Sequence, residues 1–275
     1  MGRKMFFFDF DGTLFSHATK EVPEGNIRAL RRLQEQGHAV MVVTGRGAES
    51  LRFIQAAIPL SFDAISVLNG QLIYEAGEIA YENQILLASM GHLIRIAKTN
   101  RFSYGGYDKN GVVVNGINDR VASVWRNFNA PLPAARDEFE QDTPLYQGHL
   151  YITQDEAALF EPYLDDYIAN WSDPCLVNLI PKDAGKSQAV RWCMARYGVA
   201  REDTFAFGDA FNDKDMLLSV GHGIAMGNGD PSIKELAEFV TKSVDENGIA
   251  WALKHYHVLE DDEEMTTGGG NDVRD

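Results

Sequence analysis

The chain has 275 residues, 45% of them apolar and 24% charged, with 40 acidic against 25 basic side chains and a net charge of −15. That is ordinary composition for a globular protein of one large domain or two modest ones, and the acidity argues against gripping a nucleic-acid backbone by charge. Seven acids and one Arg between Glu260 and Asp275 give that segment −6 and leave −9 on the rest, and no run approaches the ~18–20 apolar residues of a membrane span.

Residues 4–11 open the chain with an apolar run, Met5-Phe-Phe-Phe8, which breaks at Asp9. It is too short for the ~7–15-residue apolar region of a signal peptide and suits a strand buried on both faces. Residues 24–36 carry Ile27, Leu30 and Leu33 at helical spacing, with Pro23 before them and Gly37 behind. Residues 38–44 form a second apolar strand ending at Thr44, which completes a strand–helix–strand unit. The expected fold is therefore α/β, a doubly wound, mostly parallel sheet.

Residues 70–81 read as a hairpin about Ala76-Gly77, and residues 84–98 as an amphipathic helix. Short alternating strands follow at 111–115, 150–153 and 176–180, mixed with helices expected at 119–128 and 155–170. That texture is α+β, and it places an inserted second domain at 80–183. The first domain takes 1–79 and 184–258. It resumes with a third buried strand, 203–209, and then Gly223 to Gly229, a strand and turn leading to a helix capped by Asp230-Pro231. Residues 259–275, acidic with Thr-Thr-Gly-Gly-Gly-Asn, read as a disordered tail. Cys175 and Cys193 lack metal-like spacing, which favours buried packing thiols and a reducing, cytoplasmic setting. His255-x-His257 could chelate a metal in principle, but the absence of a nearby Cys and the adjacent acidic tail argue against it.

In open α/β sheets ligands bind beyond the carboxyl ends of the strands. The three apolar strands end in Asp9, Thr44 and Asp209, so the topology draws residues 200 apart towards one crevice. Asp9-Phe10-Asp11-Gly12-Thr13 puts two carboxylates either side of one residue, which a proton or a cation must offset. A hard cation such as Mg²⁺ suits carboxylate oxygens together with phosphate and water.

These segments resemble the four motifs of the haloacid dehalogenase-like hydrolase superfamily. Asp9-x-Asp11-x-Thr13 is similar to the first, Val43-Thr44-Gly45-Arg46 to the second, Lys186 in Asp183-Ala-Gly-Lys-Ser187 to the third, and Gly208-Asp209-Ala-Phe-Asn212-Asp213 to the fourth. The likeness runs to about Tyr256. The place of the insertion, between the second and third motifs, resembles the Cof-type sugar-phosphatase branch with its large α/β cap. The resemblance implies a Rossmann-like core and a Mg²⁺-dependent phosphatase of a small phosphorylated metabolite, working as a monomer or homodimer without nucleic acid or membrane.

It further implies that Asp9 is the nucleophile and that Asp11 is acid and then base. Phe10, Thr44, Gly45, Lys186 and Asn212 would bind phosphate or substrate. Mg²⁺ would be held by Asp9, Asp11 (through its carbonyl), Asp209 and Asp213, the last as an orienting or water-mediated ligand. Two departures stand out: Ser187 where Gly is frequent, and Asn178 where an acid is common. The alternatives are a phosphomutase of the same superfamily and a catalytically silent binding or regulatory protein. A dehalogenase would not need Asp11. A P-loop fails because Ile180 occupies the position of its first glycine.

Overall fold

The computed structural model describes residues 2–85, 90–136, 144–182 and 184–260. Most of the expected tail (261–275) and Asp183 of the third motif lie outside the described residues. In chain order the elements are β1 (Met5–Phe8), α1 (Glu24–Glu35), β2 (Ala39–Val43), α2 (Leu51–Ala57), β3 (Ala64–Val67), β4 (Leu72–Glu75) and β5 (Glu78–Glu82). Then come α3 (Gly91–Thr99), β6 (Ser103–Asp108), β7 (Gly111–Val114), α4 (Asp119–Asn127), β8 (Ala134–Ala135), β9 (Gln147–Tyr151), α5 (Gln154–Ala157), β10 (Tyr167–Asp173) and β11 (Leu176–Pro181). The last elements are α6 (Lys186–Tyr197), β12 (Thr204–Gly208), α7 (Lys214–Ser219), β13 (His222–Ala225), α8 (Pro231–Leu236), β14 (Phe239–Val240) and α9 (Gly248–His255). Among the described residues no helix is long and apolar enough to cross a membrane.

The chain divides into two compact units. One comprises Met1–Thr44, Phe53–Ile65 and Ala189–Asp275, the other Gly45–Arg52 and Ser66–Gln188. In the first unit the strands run β14-β13-β12-β1-β2, every neighbouring pair parallel. Each residue of β1, β2 and β12 is buried, which is why these strands are apolar throughout rather than alternating. Phe6, Phe8, Val40, Val42, Phe205 and Phe207 pack there with Ile27, Leu30 and Leu33 of α1. Phe6 stacks on Phe205, and Phe8 on Phe207, at 4.9 Å between ring centres.

The second unit holds the β4–β5 hairpin, turning through left-handed Ala76 and Gly77, and a six-stranded sheet ordered β10-β11-β9-β6-β7-β8. That sheet is antiparallel except where β7 meets β8. Tyr104, Val113, Leu150, Val177 and Leu179 cover one face and bury Leu93 and Ala97 of α3. On the other face Val114, Tyr151 and Leu176 pack on Val121 and Val124 of α4.

Two expected helices differ. The one placed at 155–170 is instead the single turn of α5, a 3-10 turn at Glu161–Tyr163 and strand β10. Pro162 lacks the N–H a helix interior needs, and Tyr167–Asp173 pairs antiparallel with β11. The helix placed at 84–98 begins at Gly91; residues 86–89 lie outside the described residues, and Ile85 makes an isolated bridge to Leu145. Cys193 is buried as expected, whereas Cys175 is only half-buried, beside the α4 cluster.

Candidate active site

Asp9, Thr44 and Asp209 each follow the last residue of a parallel strand, β1, β2 and β12 in turn. The register pairs Phe8 with both Phe207 and Val42, so the three strands end within one residue of one another at the carboxyl edge of the first unit. Asp9 is anchored there by its N–H, which donates to the Phe207 carbonyl at 3.0 Å.

The loop after Asp9 turns at once. The N–H groups of Leu14 and Phe15 both donate to the Phe10 carbonyl, at 3.0 and 2.7 Å, and that of Gly12 donates to the Phe15 carbonyl at 2.9 Å. Gly12 takes φ +79°, and a Cβ built on it would lie 2.2 Å from Asp209 Oδ2. Only glycine satisfies both the left-handed backbone and that approach. Thr13 then donates its hydroxyl to Asp209 Oδ1 at 2.9 Å, a second tie between the first and fourth motifs.

Asp213 works on the main chain. Its Oδ2 accepts the N–H groups of Asp209 and Ala210, each at 2.9 Å, and its side chain is wholly buried. Asp209 precedes the 3-10 turn Phe211–Asp213, and Asp213 reaches back over it, so the two do not share a helical face.

Asp9, Asp209 and Asp213 form a group in which one carboxylate oxygen from each lies within 4.8 Å of the others. Two of the three are buried, and three like charges so close repel unless a cation offsets them. The donors are all hard oxygens without Cys or His, which fits Mg²⁺ rather than a softer metal. Asp209 occupies the space that a side chain at Gly12 would take.

The Asp11 carboxylate stands apart from this group. It is 29% exposed, with Oδ1 3.7 Å from Nε2 of His17. The Phe10 ring is fully buried and stacked on Phe15, so a substrate contact at this position would come from the main chain. Asn212 is exposed in its 3-10 turn, and Thr44 is buried. Gly45 and Lys186 belong to the second unit; Lys186 is the first residue of α6 and is fully buried.

Sequence reasoning missed Asn228. The segment Gly223 to Gly229 is a strand and turn, and α8 is capped by Asp230, as expected. Inside the turn, however, Asn228 Nδ2 donates to the Gly12 carbonyl at 2.7 Å while its Oδ1 accepts the Val244 N–H at 2.8 Å. The Asp230 N–H donates to the Asp209 carbonyl at 2.8 Å. The turn therefore clasps both motifs from behind. The only signal in the sequence is an Asn between two glycines, which marks a turn and nothing more. His255 is exposed and stacks on Phe239 at 4.2 Å between ring centres.

A family model described as haloacid dehalogenase-like hydrolase matches residues 6–253. The chain is 29% identical to YkrA of Bacillus subtilis, whose name gives it a phosphatase designation, over 94% of this chain and all of that one. It is 26% identical to the 5-amino-6-(5-phospho-D-ribitylamino)uracil phosphatase YitU of the same organism, over 91% and 96% of the two chains. Among solved structures it resembles BT1666 of Bacteroides thetaiotaomicron, described with phosphatases of the same superfamily: 28% identity, TM-score 0.82, 94% of this chain and 96% of that one.

Proposed function

The chain belongs to the haloacid dehalogenase-like hydrolases, and from that premise we propose that it is a Mg²⁺-dependent phosphatase of a small metabolite, a sugar phosphate by class, acting through an aspartyl-phosphate. The observation that carries the reading is the group Asp9, Asp209 and Asp213 at the strand ends, with Gly12 and Thr13 clasped to Asp209.

Asp9 is the nucleophile. A carboxylate is nucleophilic in its ionised form, so this step calls for no activating base. Its oxygen bonds to phosphorus, the ester P–O bond breaks, and the leaving oxygen takes a proton from Asp11. Water then attacks the phosphorus and gives its proton back to Asp11, and the Asp9–phosphate bond breaks to free inorganic phosphate. Asp11 suits this double role because its side chain stands outside the carboxylate group and is partly open to solvent. Asp9, Asp209, Asp213 and the Asp11 carbonyl would hold Mg²⁺, which when bound offsets the repulsion between Asp9 and a phosphate dianion. Thr44, Gly45, Lys186 and Asn212 are the phosphate-binding groups in this reading, and the net charge of −15 supports a small substrate over nucleic acid.

The test is phosphate release from sugar phosphates, nucleotides and an aryl phosphate, with Mg²⁺ and with EDTA, beside Asp9→Asn. Release that needs the metal and falls about a thousandfold or more in the variant supports the proposal. Turnover indifferent to EDTA overturns the metal assignment, and full activity in Asp9→Asn overturns the covalent step. An isomerised ester in place of free phosphate would identify a mutase.

A further inference from the structure

The second unit carries a cavity of about 360 Å³, and none of its lining residues belongs to the four motifs. It lies where the turn after α3, the start of α4 and the last residue of β9 meet, lined chiefly by Asn100, Arg101, Phe102, Asp119, Arg120 and Tyr151. All of these belong to that one unit. The volume is at the small end of the ~300–1,000 Å³ range of small-molecule sites.

One wall is fixed. The Arg120 guanidinium donates to both carboxylate oxygens of Glu156, at 2.6 and 3.0 Å, and to the Tyr151 carbonyl at 2.9 Å. It also lies over the Phe102 ring, 5.7 Å from its centre. Its charge is thus matched by Glu156, and the bidentate pair holds the stack in place. The end of α4 is occupied as well, because Asn118 Oδ1 accepts the Val121 N–H at 3.0 Å. His149, two residues before Tyr151 on β9, is 2% exposed, and burial holds its pKa down to about 4. It brings no charge to this end of the strand at physiological pH.

Two charged groups remain, and they are of opposite sign. Arg101 and Asp119 are both exposed, and neither side chain has a hydrogen-bond or ion-pair partner among the described residues. They line one cavity without pairing across it. Arg101 also takes φ +58°, just past the end of α3, where glycine or asparagine is usual and a longer side chain is strained. The chain therefore keeps a guanidinium at this cavity in a backbone conformation that glycine would relieve.

A plain anion would suit Arg101 and be repelled by Asp119; a plain cation would meet the reverse. A zwitterion satisfies both. Its carboxylate can take two parallel N–H groups of a guanidinium, and its ammonium can donate to a carboxylate. An α-amino acid carries both charges on one carbon, so one small molecule bridges two side chains that stand too far apart to pair directly.

We propose that this cavity binds a free α-amino acid, its carboxylate on Arg101 and its ammonium on Asp119. The site involves none of the proposed catalytic groups, so it does not depend on the phosphatase reading, and its test reads binding without turnover.

The twenty common α-amino acids are titrated singly into the full chain by isothermal calorimetry. At least one should bind saturably, and Arg101→Gln and Asp119→Asn should each weaken it about tenfold or more, the share of a charge-assisted hydrogen bond. The N-acetyl and α-carboxamide derivatives of that amino acid, each lacking one charge, should bind more weakly by a similar factor. Both substituted side chains are exposed, and thermal unfolding checks that the variants are folded. No saturable binding by any of the twenty up to about 10 mM overturns the proposal, as does binding that either variant leaves unchanged. Binding tightened by Asp119→Asn would mark a simple anion site on Arg101, and the zwitterion assignment would fall.

Discussion

Replacing Gly12 with alanine tests whether the close seat of the first motif against Asp209 sets the metal site. The backbone at φ +79° is one an alanine adopts at a cost of about 1–2 kcal/mol. The larger effect is positional. The new Cβ would stand 2.2 Å from Asp209 Oδ2 and 2.7 Å from its Cγ, well inside the ~3.5 Å of ordinary contact. The carboxylate or the loop must therefore withdraw by about 1 Å, several times the roughly 0.2 Å over which a metal–ligand distance stays good. Withdrawal also strains the Thr13 hydroxyl bond to Asp209 and the Asn228 bond to the Gly12 carbonyl. Divalent affinity should fall about 10–100-fold, the range seen when groups that orient metal ligands are lost. Mn²⁺ binding followed by electron paramagnetic resonance reads this directly, with thermal unfolding as the check on fold. Wild-type Mn²⁺ affinity in a folded Gly12→Ala protein would refute the reasoning.

Asn228→Ala removes the donor to Gly12 and the acceptor for Val244 while leaving every proposed ligand in place. The Mg²⁺ concentration for half-maximal activity should rise about tenfold; an unchanged value would show that the turn only closes the fold. His149 gives a pH dependence of definite sign. Its folded pKa, near 4, lies below the ordinary 6.5, so between those values the unfolded chain binds more protons. Its contribution is complete above pH 6.5 and is lost as the pH falls towards 4, a swing of about 3 kcal/mol. Denaturant unfolding of wild type and His149→Phe across that window should therefore diverge, and parallel curves would contradict the assignment.

The gathering of Asp9, Thr44 and Asp209 at one strand edge was legible because three physical signals coincide there. Continuous apolar runs mark strands buried on both faces, the runs stop at polar residues, and parallel strands gather those stops at one edge. The second unit was harder to read. Ala157, Phe160, Leu164 and Tyr167 recur at helical spacing, and all four do pack into one core. Pro162 nonetheless removes the hydrogen bond that would join them into a helix, and β10 takes over by pairing with β11. Polar residues alternating at 147 and 149 look like the wet side of a strand, yet both are buried. Asn228 was invisible for another reason, since its partner Gly12 is 216 residues away and nothing local distinguishes it from any turn asparagine.

Hydrogen bonds reach at least two of the three acids: Asp213 accepts two main-chain N–H groups, and Asp209 accepts the Thr13 hydroxyl. Three carboxylates this close still repel one another, so removing the charge of Asp209 should stabilise the protein while destroying the site. Unit charges 4.8 Å apart, at an effective dielectric of ~20, repel by about 3 kcal/mol. Exposure and the existing hydrogen bonds reduce that, so a gain of about 1–3 kcal/mol is expected for Asp209→Asn in EDTA. The Asn Oδ1 still accepts from Thr13, so packing is kept. Mg²⁺ should raise the unfolding temperature of wild type, because it binds the folded state alone, and should leave Asp209→Asn where it was. The two proteins would then exchange order: the variant more stable in EDTA, its advantage reduced or reversed in excess Mg²⁺. A variant less stable than wild type in EDTA would mean that the carboxylate cluster is held together by its own hydrogen bonds, with no strain for a cation to relieve.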